Sequence, residues 1–254
     1  MAGVAEILSK ESNLLGHESH VIQKRDLDPF GFGDYYKTDI YVDKLDTFVE
    51  ALNSGSKMVD VVILHDWVEF IEEIECDNIF IFFHGSKLRS MPYKQVENVS
   101  RFAKGIFVST PDLLEQVRYG HHLPAPVDLD LFKDRGESRS WNQLTINRKY
   151  QREYIENEIK KVYPECVYYE RSMGKPMNYG IMPEVLNKWK SYVDMKYDYS
   201  NPEPKLLDVY STTAVQALAC GCDVYNGKKK KLPKSLVKTH DSKRVAKEFL
   251  KYIE

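Results

Sequence analysis

The segment Asp208-Val209-Tyr210-Ser211-Thr212-Thr213-Ala214-Val215-Gln216-Ala217-Leu218-Ala219-Cys220-Gly221-Cys222 holds the residues best suited to a charged ligand. Ser211 or Thr212 is a helix N-cap by type, and the turn Ser211-Thr212-Thr213 presents backbone N–H groups that have no partner inside the helix. Those donors, with the positive end of the helix dipole, suit a phosphate. Gln216 falls one turn further in, where an amide is expected to come within reach of a ribose hydroxyl. Ala214, Ala217 and Ala219 let the helix lie close to a sheet. An ordinary capped helix has the same local features.

Other polar groups follow apolar runs. Residues 59–64 end in His65-Asp66-Trp67, and residues 78–83 end in His84-Gly85-Ser86-Lys87-Leu88-Arg89. Lys87 and Arg89 either meet acceptor or phosphate charge or belong to a solvated loop. His65 and Asp66 end a strand at the ligand edge, where such a lone pair is structural more often than catalytic. Tyr168, Tyr169 and Tyr179 offer faces to a base or sugar, or simply pack. His121-His122 has no third ligand nearby, so no metal is expected. No G-x-S-x-G, P-loop or H-E-x-x-H pattern is present, which leaves hydrolase, NTPase and zincin chemistry without support.

The elements that must position these residues alternate. Helices are expected at residues 4–15, 47–52, 96–103, 150–162, 182–189, 212–220 and 242–252. Strands are expected at 20–22, 59–64, 78–83, 105–108, 144–147, 166–169, 191–194 and 223–225. Alternation of this kind predicts an α/β protein with parallel sheets covered on both faces, whose ligands sit just past the carboxyl ends of the strands. The chain opens at a helix, so either the fold lacks its first strand or that strand lies upstream of Met1. The second is expected, because Met1-Ala2-Gly3 reads as the turn after a strand. The Pro-rich stretch Leu123-Pro124-Ala125-Pro126-Val127-Asp128, with residues 129–140, reads as a connection between two domains. The expected boundaries are 1–128 and 129–240, with a final helix in 241–254 that packs back on the first domain.

Composition narrows the class. The 254 residues carry 36 Lys+Arg against 38 Asp+Glu, a formal net charge of −2, which argues against nucleic-acid binding through bulk positive charge. The apolar runs are strand-sized and too short to span a bilayer. Cys76, Cys166, Cys220 and Cys222 lack zinc spacing and are expected to be reduced. With no apolar core typical of a signal peptide at residues 1–10, a cytoplasmic location is expected. The run Lys228-Lys229-Lys230-Lys231 is either a solvated loop or an electrostatic contact with phosphates or an anionic membrane surface.

Four ordered segments carry a family resemblance. "STTAVQALACGCDVY" resembles the "EALACGxPV" signature of the retaining GT-B glycosyltransferases of the large group-one family (glycosyltransferase family four). "AGVAEILSKESNLLGHESHVI" is similar to that family's opening helix and "FFHGSKLR" to its "HGSDLR" turn. "VSTPDLLE" with "LPAPVDLDLF" is similar to its domain-end strand and linker. The resemblance implies two Rossmann-like domains facing across a cleft. The second would hold a nucleotide-diphosphate sugar and the first a glycan, lipid or small-molecule acceptor. It implies no metal or other cofactor, because cationic side chains and a helix N-terminus meet the charge on the leaving diphosphate. By residue it implies Arg148 of "LTINRK" at the diphosphate, with Arg152 in place of the usual Lys. His84 and Gly85 would border the donor sugar, Gly3 would lie near the phosphates, and Asp208 with Gln216 would position sugar and ribose.

The chain departs from the family pattern at chemically important places. The paired glutamates eight residues apart are Asp208 and Gln216, the Gly before the Arg is Asn147, and the following Lys-Gly is absent. An amide in place of a carboxylate exchanges a charged hydrogen bond of roughly 1.5–3 kcal/mol for a neutral one of about 0.5–1.5, a loss near tenfold in binding. Two expectations follow: a metal-independent, retaining glycosyltransferase, or a descendant of the same fold that binds a sugar nucleotide or glycan without turning it over.

Overall fold

The computed structural model describes residues 3–24, 28, 31–148, 152–171, 177–198 and 205–254. In chain order the first elements are α1 (Val4–Leu14), β1 (Ile22–Lys24), α2 (Phe32–Tyr36), β2 (Ile40–Val42), α3 (Leu45–Ser56) and β3 (Val62–His65). Then come β4 (Ile79–Phe83), α4 (Ser86–Ser90), α5 (Tyr93–Ser100), β5 (Gly105–Val108) and β6 (Gly120–His122). The second half contains β7 (Trp141–Arg148), α6 (Arg152–Val162), β8 (Val167–Arg171), α7 (Met182–Asn187) and β9 (Trp189–Asp194). It ends with β10 (Tyr197–Asp198), β11 (Lys205–Leu206), α8 (Thr212–Ala219), β12 (Asp223–Asn226), α9 (Ser235–Thr239) and α10 (Ser242–Ile253).

The chain divides into two compact α/β units. The first takes residues 1–28, 36–126 and 243–254, and the second takes 29–35 and 127–242. In the first, β3-β4-β5-β6 form a sheet in that order with every pairing parallel. A separate parallel pair joins β1 to β2. Strand β4 is Ile-Phe-Ile-Phe-Phe and buried at all five positions, and its side chains alternate between the two faces. Ile79, Ile81 and Phe83 pack with Val96, Val99, Leu88, Leu113 and Val117 on one side. Phe80 and Phe82 pack on the other with Phe107, Val4 and Leu8 of α1, and Val245, Phe249 and Leu250 of α10. The amphipathic last helix therefore closes the N-terminal sheet, with the Phe249 ring 5.3 Å from that of Phe107.

The second unit has a sheet of order β12-β9-β7-β8, all parallel. The chain leaves β7 toward β8 on one side and later returns to β9 on the other. Strand order therefore reverses between β7 and β9, the Rossmann-like arrangement that opens a crevice at the carboxyl ends of those two strands. Ala214, Val215, Ala217 and Leu218 of α8 are buried, together with Val193 of β9 and Val224 of β12. Arg139 ties the opposite end of this layer. Its guanidinium donates to Trp189 O at 2.9 Å and Cys220 O at 2.6 Å, and pairs with Asp134 at 2.9 Å. Gly221 ends α8 with φ of +85°, and a Cβ there would overlap the Asp134 carboxylate and the Arg139 guanidinium. Gly221→Ala is accordingly expected to cost about 2 kcal/mol or more in a urea unfolding curve, from left-handed strain and displacement of that ion pair. A change under ~0.5 kcal/mol would contradict the clash.

Several features differ from the expectation, among them the short elements α2, α4, α9, β10 and β11. Strands β2 and β6 are only three residues long, too short for a strand period to register in the sequence, and β6 reads there only as a His pair. The Pro-rich connection is packed rather than free: Leu123 and Val127 are fully buried, and Val127 N–H donates to His240 O at 2.7 Å while Ser242 N–H donates to Val127 O at 3.1 Å. Tyr179 is wholly buried against Phe32, Tyr35 and Phe132, with ring centroids 4.5, 5.6 and 5.4 Å away. It packs residues of α2 onto the second unit and has no face left for a base or sugar.

Candidate functional site

The carboxyl edge of each sheet gathers polar residues, and the two edges are built differently. In the first unit the register places His65 of β3 opposite Phe82 of β4, so His65 and His84 reach the same edge from adjacent strands. Their rings lie nearly parallel at 6°, centroids 5.2 Å apart, with His65 Nδ1 2.9 Å from His84 Nε2. Asp66 adopts φ of +63°, and its carboxylate accepts the His84 N–H at 2.9 Å while its own N–H donates to Phe82 O at 3.2 Å. Burial pushes both imidazoles down to about 3, with the neighbouring His84 adding to the effect on His65. Both rings are therefore neutral at physiological pH. Burial raises the Asp66 carboxyl, against the hydrogen bond from His84.

Gly85 follows with φ of +117°, a backbone state closed to L side chains, and a Cβ there would stand 2.8 Å from the Arg89 guanidinium. Arg89 and Lys87 are already engaged. Arg89 reaches Asp112 at 2.6 Å and Thr110 at 3.3 Å, and Lys87 pairs with Glu69. Burial alone would raise Asp112, but Thr110 and Arg89 outweigh it and hold the carboxyl below its ordinary value. These two cations therefore brace the edge. Gly3 stands at the start of α1 with φ of +67°, suited to a turn into that helix.

In the second unit, Arg148 is the last residue of β7, paired in register with Arg171 of β8. Asp194 is the last residue of the adjacent β9 and anchors the start of α8. Its carboxylate accepts Ser211 N–H and Ser211 Oγ–H, each at 2.7 Å, and Ser211 Oγ in turn accepts Ala214 N–H at 3.1 Å. Burial raises the Asp194 carboxyl, opposed by the two Ser211 bonds. Of the turn's donors, Ser211 and Ala214 are thus spent internally, and the N–H groups of Thr212 and Thr213 make no hydrogen bond among the described residues. Gln216, three and four residues further, shares the helix face with them. It is 2% exposed. Asp208 lies at the surface, paired with Lys228 at 3.1 Å. Arg152 opens α6, which follows β7.

The edge of the second unit thus brings the end of β7, the tip of α8 and Gln216 to the carboxyl end of one sheet, while Asp208 is held by the lysine run. His84 and Gly85 belong to the edge of the first unit. Asp194 has no role in the sequence reading, although its signal is simple: an acidic residue closing a buried strand just before a capped helix. Asp194→Ala is expected to cost about 1.5–3 kcal/mol in chemical denaturation, because two donors to a charged acceptor lose it. Unchanged stability would show that the tip of α8 does not depend on that carboxylate.

Among the described residues no three His, Cys, Asp or Glu side chains are grouped to hold a metal ion, and no helix is long and apolar enough to cross a membrane. All four cysteines are free thiols. Burial pushes Cys166 and Cys220 up to about 12 and Cys222 to about 11, so these three are packing residues with little thiolate.

The fold and the two edges define an α/β protein of two parallel-sheet units with Rossmann-like topology in the second. No family model and no curated protein matches the chain. Among solved structures it is similar to the crystal structure of accessory secretory protein 1, 2 and 3 in Streptococcus pneumoniae, with a TM-score of 0.45 and 10% identity. That match covers 71% of this chain and 44% of the other, so this chain spans less than half of the protein it matches.

Proposed function

We propose that the protein is a glycosyltransferase of GT-B type that moves a sugar from a nucleotide-diphosphate donor to an acceptor, with retention and without a metal or other cofactor. The observation that carries this reading is the α8 tip. It leaves two N–H donors unused among the described residues, and the buried Gln216 shares their helix face, beside the strand-order reversal where such sheets take nucleotides. Thr212 and Thr213 would hold the diphosphate with Arg148, and Arg152 would add charge from the start of α6. Ser211 would orient the turn and Gln216 would meet the ribose. As the glycosidic bond breaks, negative charge grows on the leaving diphosphate, and donors fixed in advance lower the barrier. Asp208 would position the sugar after release from Lys228. The setting is the cytoplasm, with contact at an anionic membrane surface through the lysine run as a further element of the proposal.

A second reading, a non-catalytic sugar-nucleotide or glycan binder, is favoured by the pairing of Asp208 with Lys228 and by the amide at Gln216. A thermal-shift panel of UDP-, GDP- and ADP-sugars, followed by donor hydrolysis, separates the two. Stabilisation with turnover supports the transferase and stabilisation alone supports the binder. No response to any donor contradicts both.

A further inference from the structure

We propose that Trp141 and Trp189 form a binding platform for a neutral saccharide on the second unit, at the end of the sheet opposite its carboxyl edge. The inference does not depend on the transferase reading. The two residues open β7 and β9 and stand opposite each other in the parallel register. Their indoles stack at 29° with ring centroids 5.7 Å apart, and Trp141 is 56% exposed while Trp189 is half-buried. Two of the chain's three tryptophans thus lie side by side at the surface. The length of β7, roughly 23 Å at the usual strand rise, separates them from Arg148.

Strand alternation puts Gln143 and Ser191 on the same face as the two indoles, with Val193 further along it. Val193 packs with Ile159 of α6 and with Tyr163, whereas Trp141 at the amino end of the strands stays open. The result is a flat apolar surface continued by an amide and a hydroxyl. Nearby charges are matched within the chain: Asp223 pairs with Lys231 at 2.7 Å, Lys188 with Glu184 at 2.6 Å, and Lys190 donates to Asn142 at 3.3 Å. A fitting ligand has one apolar face and a rim of uncharged hydroxyls, which is the chemistry of a pyranose. Its C–H face lies on the electron-rich face of an indole, and its hydroxyls meet the Gln143 amide and an indole N–H. Ser191 Oγ donates to Asn142 O at 3.0 Å and still accepts. Size points the same way. Two aromatic side chains bury at most about 500 Å² together, against about 800 Å² per partner for a stable protein interface, so the platform suits one or two sugar rings rather than a second copy of the chain.

The test titrates the intact protein with maltotetraose, cellotetraose and N-acetylchitotriose and follows the three indole Nε1–H signals. Trp67, packed in the first unit with its ring centroid 4.9 Å from that of Phe48, is the internal reference. The expected result is saturable movement of the Trp141 and Trp189 signals with at least one sugar, in the millimolar range, and none at Trp67. Trp141→Ala, at an exposed position, should weaken that binding about tenfold or more, and Trp141→Tyr should retain part of it. Nucleotide binding at the α8 tip should be the same in the wild type and Trp141→Ala, so either site can fail without the other. No movement with any of the three sugars, equal movement at Trp67, or binding unaltered by Trp141→Ala would overturn the proposal. A dimer seen by sedimentation in the wild type and lost in Trp141→Ala would give this face to a second copy and overturn it as well. Binding to phosphatidylglycerol vesicles that Trp141→Ala abolishes would do the same in favour of a membrane.

Discussion

Replacing Arg148 with alanine is expected to slow donor turnover by about 10²–10³-fold, the usual cost of removing one donor aimed at charge that develops in the transition state. The residue closes β7, the strand next to β9, whose own last residue Asp194 anchors the α8 tip. Arg148 thus ends one of the two strands between which the order reverses, and in the proposed transferase its guanidinium would offer a planar donor array to the diphosphate. The loss should fall mainly on kcat, since charge on the diphosphate is greatest as the bond breaks. Arg148→Lys should recover part of the rate, because it keeps the charge and loses the forked geometry. Donor turnover and donor-induced thermal stabilisation both unchanged in Arg148→Ala would remove Arg148 from the site.

Acid should unfold the protein sooner than its near-neutral charge suggests. His65 and His84 take up a proton near pH 3 when folded and near 6.5 when unfolded, because burial disfavours the imidazolium. Between those values the unfolded chain binds more protons, so the stability these groups contribute is present above about pH 6.5 and is lost as pH falls toward 3. Each contributes a slope of up to about 1.4 kcal/mol per pH unit, or roughly 2.7 for the pair. Glu6, Asp66 and Asp194 act with the opposite sign, since burial raises their carboxyls and the folded state holds their protons more readily. They offset part of the loss at the acid end of the window. Urea unfolding of the wild type and of His65→Asn/His84→Asn at several pH values between 6.5 and 4.5 reads the effect. The wild type should fall more steeply, and equal slopes would show that the imidazole pair is not the source.

Much of this architecture is legible from residue patterns. The unbroken apolar run Ile79–Phe83 forecasts a strand buried on both faces, and the small-residue helix after Ser211 is found within one residue of its expected end. Other features depend on tertiary pairing. His65 and His84 are 19 residues apart, and only the parallel register of β3 with β4 brings their rings together. Nothing local to either residue encodes that contact. Lys87 and Arg89 look like free cations in sequence, because Glu69 and Asp112 lie 18 and 23 residues away along the chain. Strand β6 escapes notice because a three-residue edge strand needs no apolar alternation. Leu123 to Val127 reads as a linker from its prolines, yet its apolar residues fill the core while Val127 finds its backbone partners at the start of α10.

The central claim is that the tip of α8 binds a nucleoside diphosphate. The most direct test is 15N–1H chemical-shift mapping of the intact protein on titration with UDP, GDP and ADP. The account predicts saturable shifts at the Thr212 and Thr213 amides and at the Gln216 side-chain amide with at least one of the three nucleotides. Saturable binding that leaves those three groups untouched, or no binding by any of the nucleotides, would contradict it.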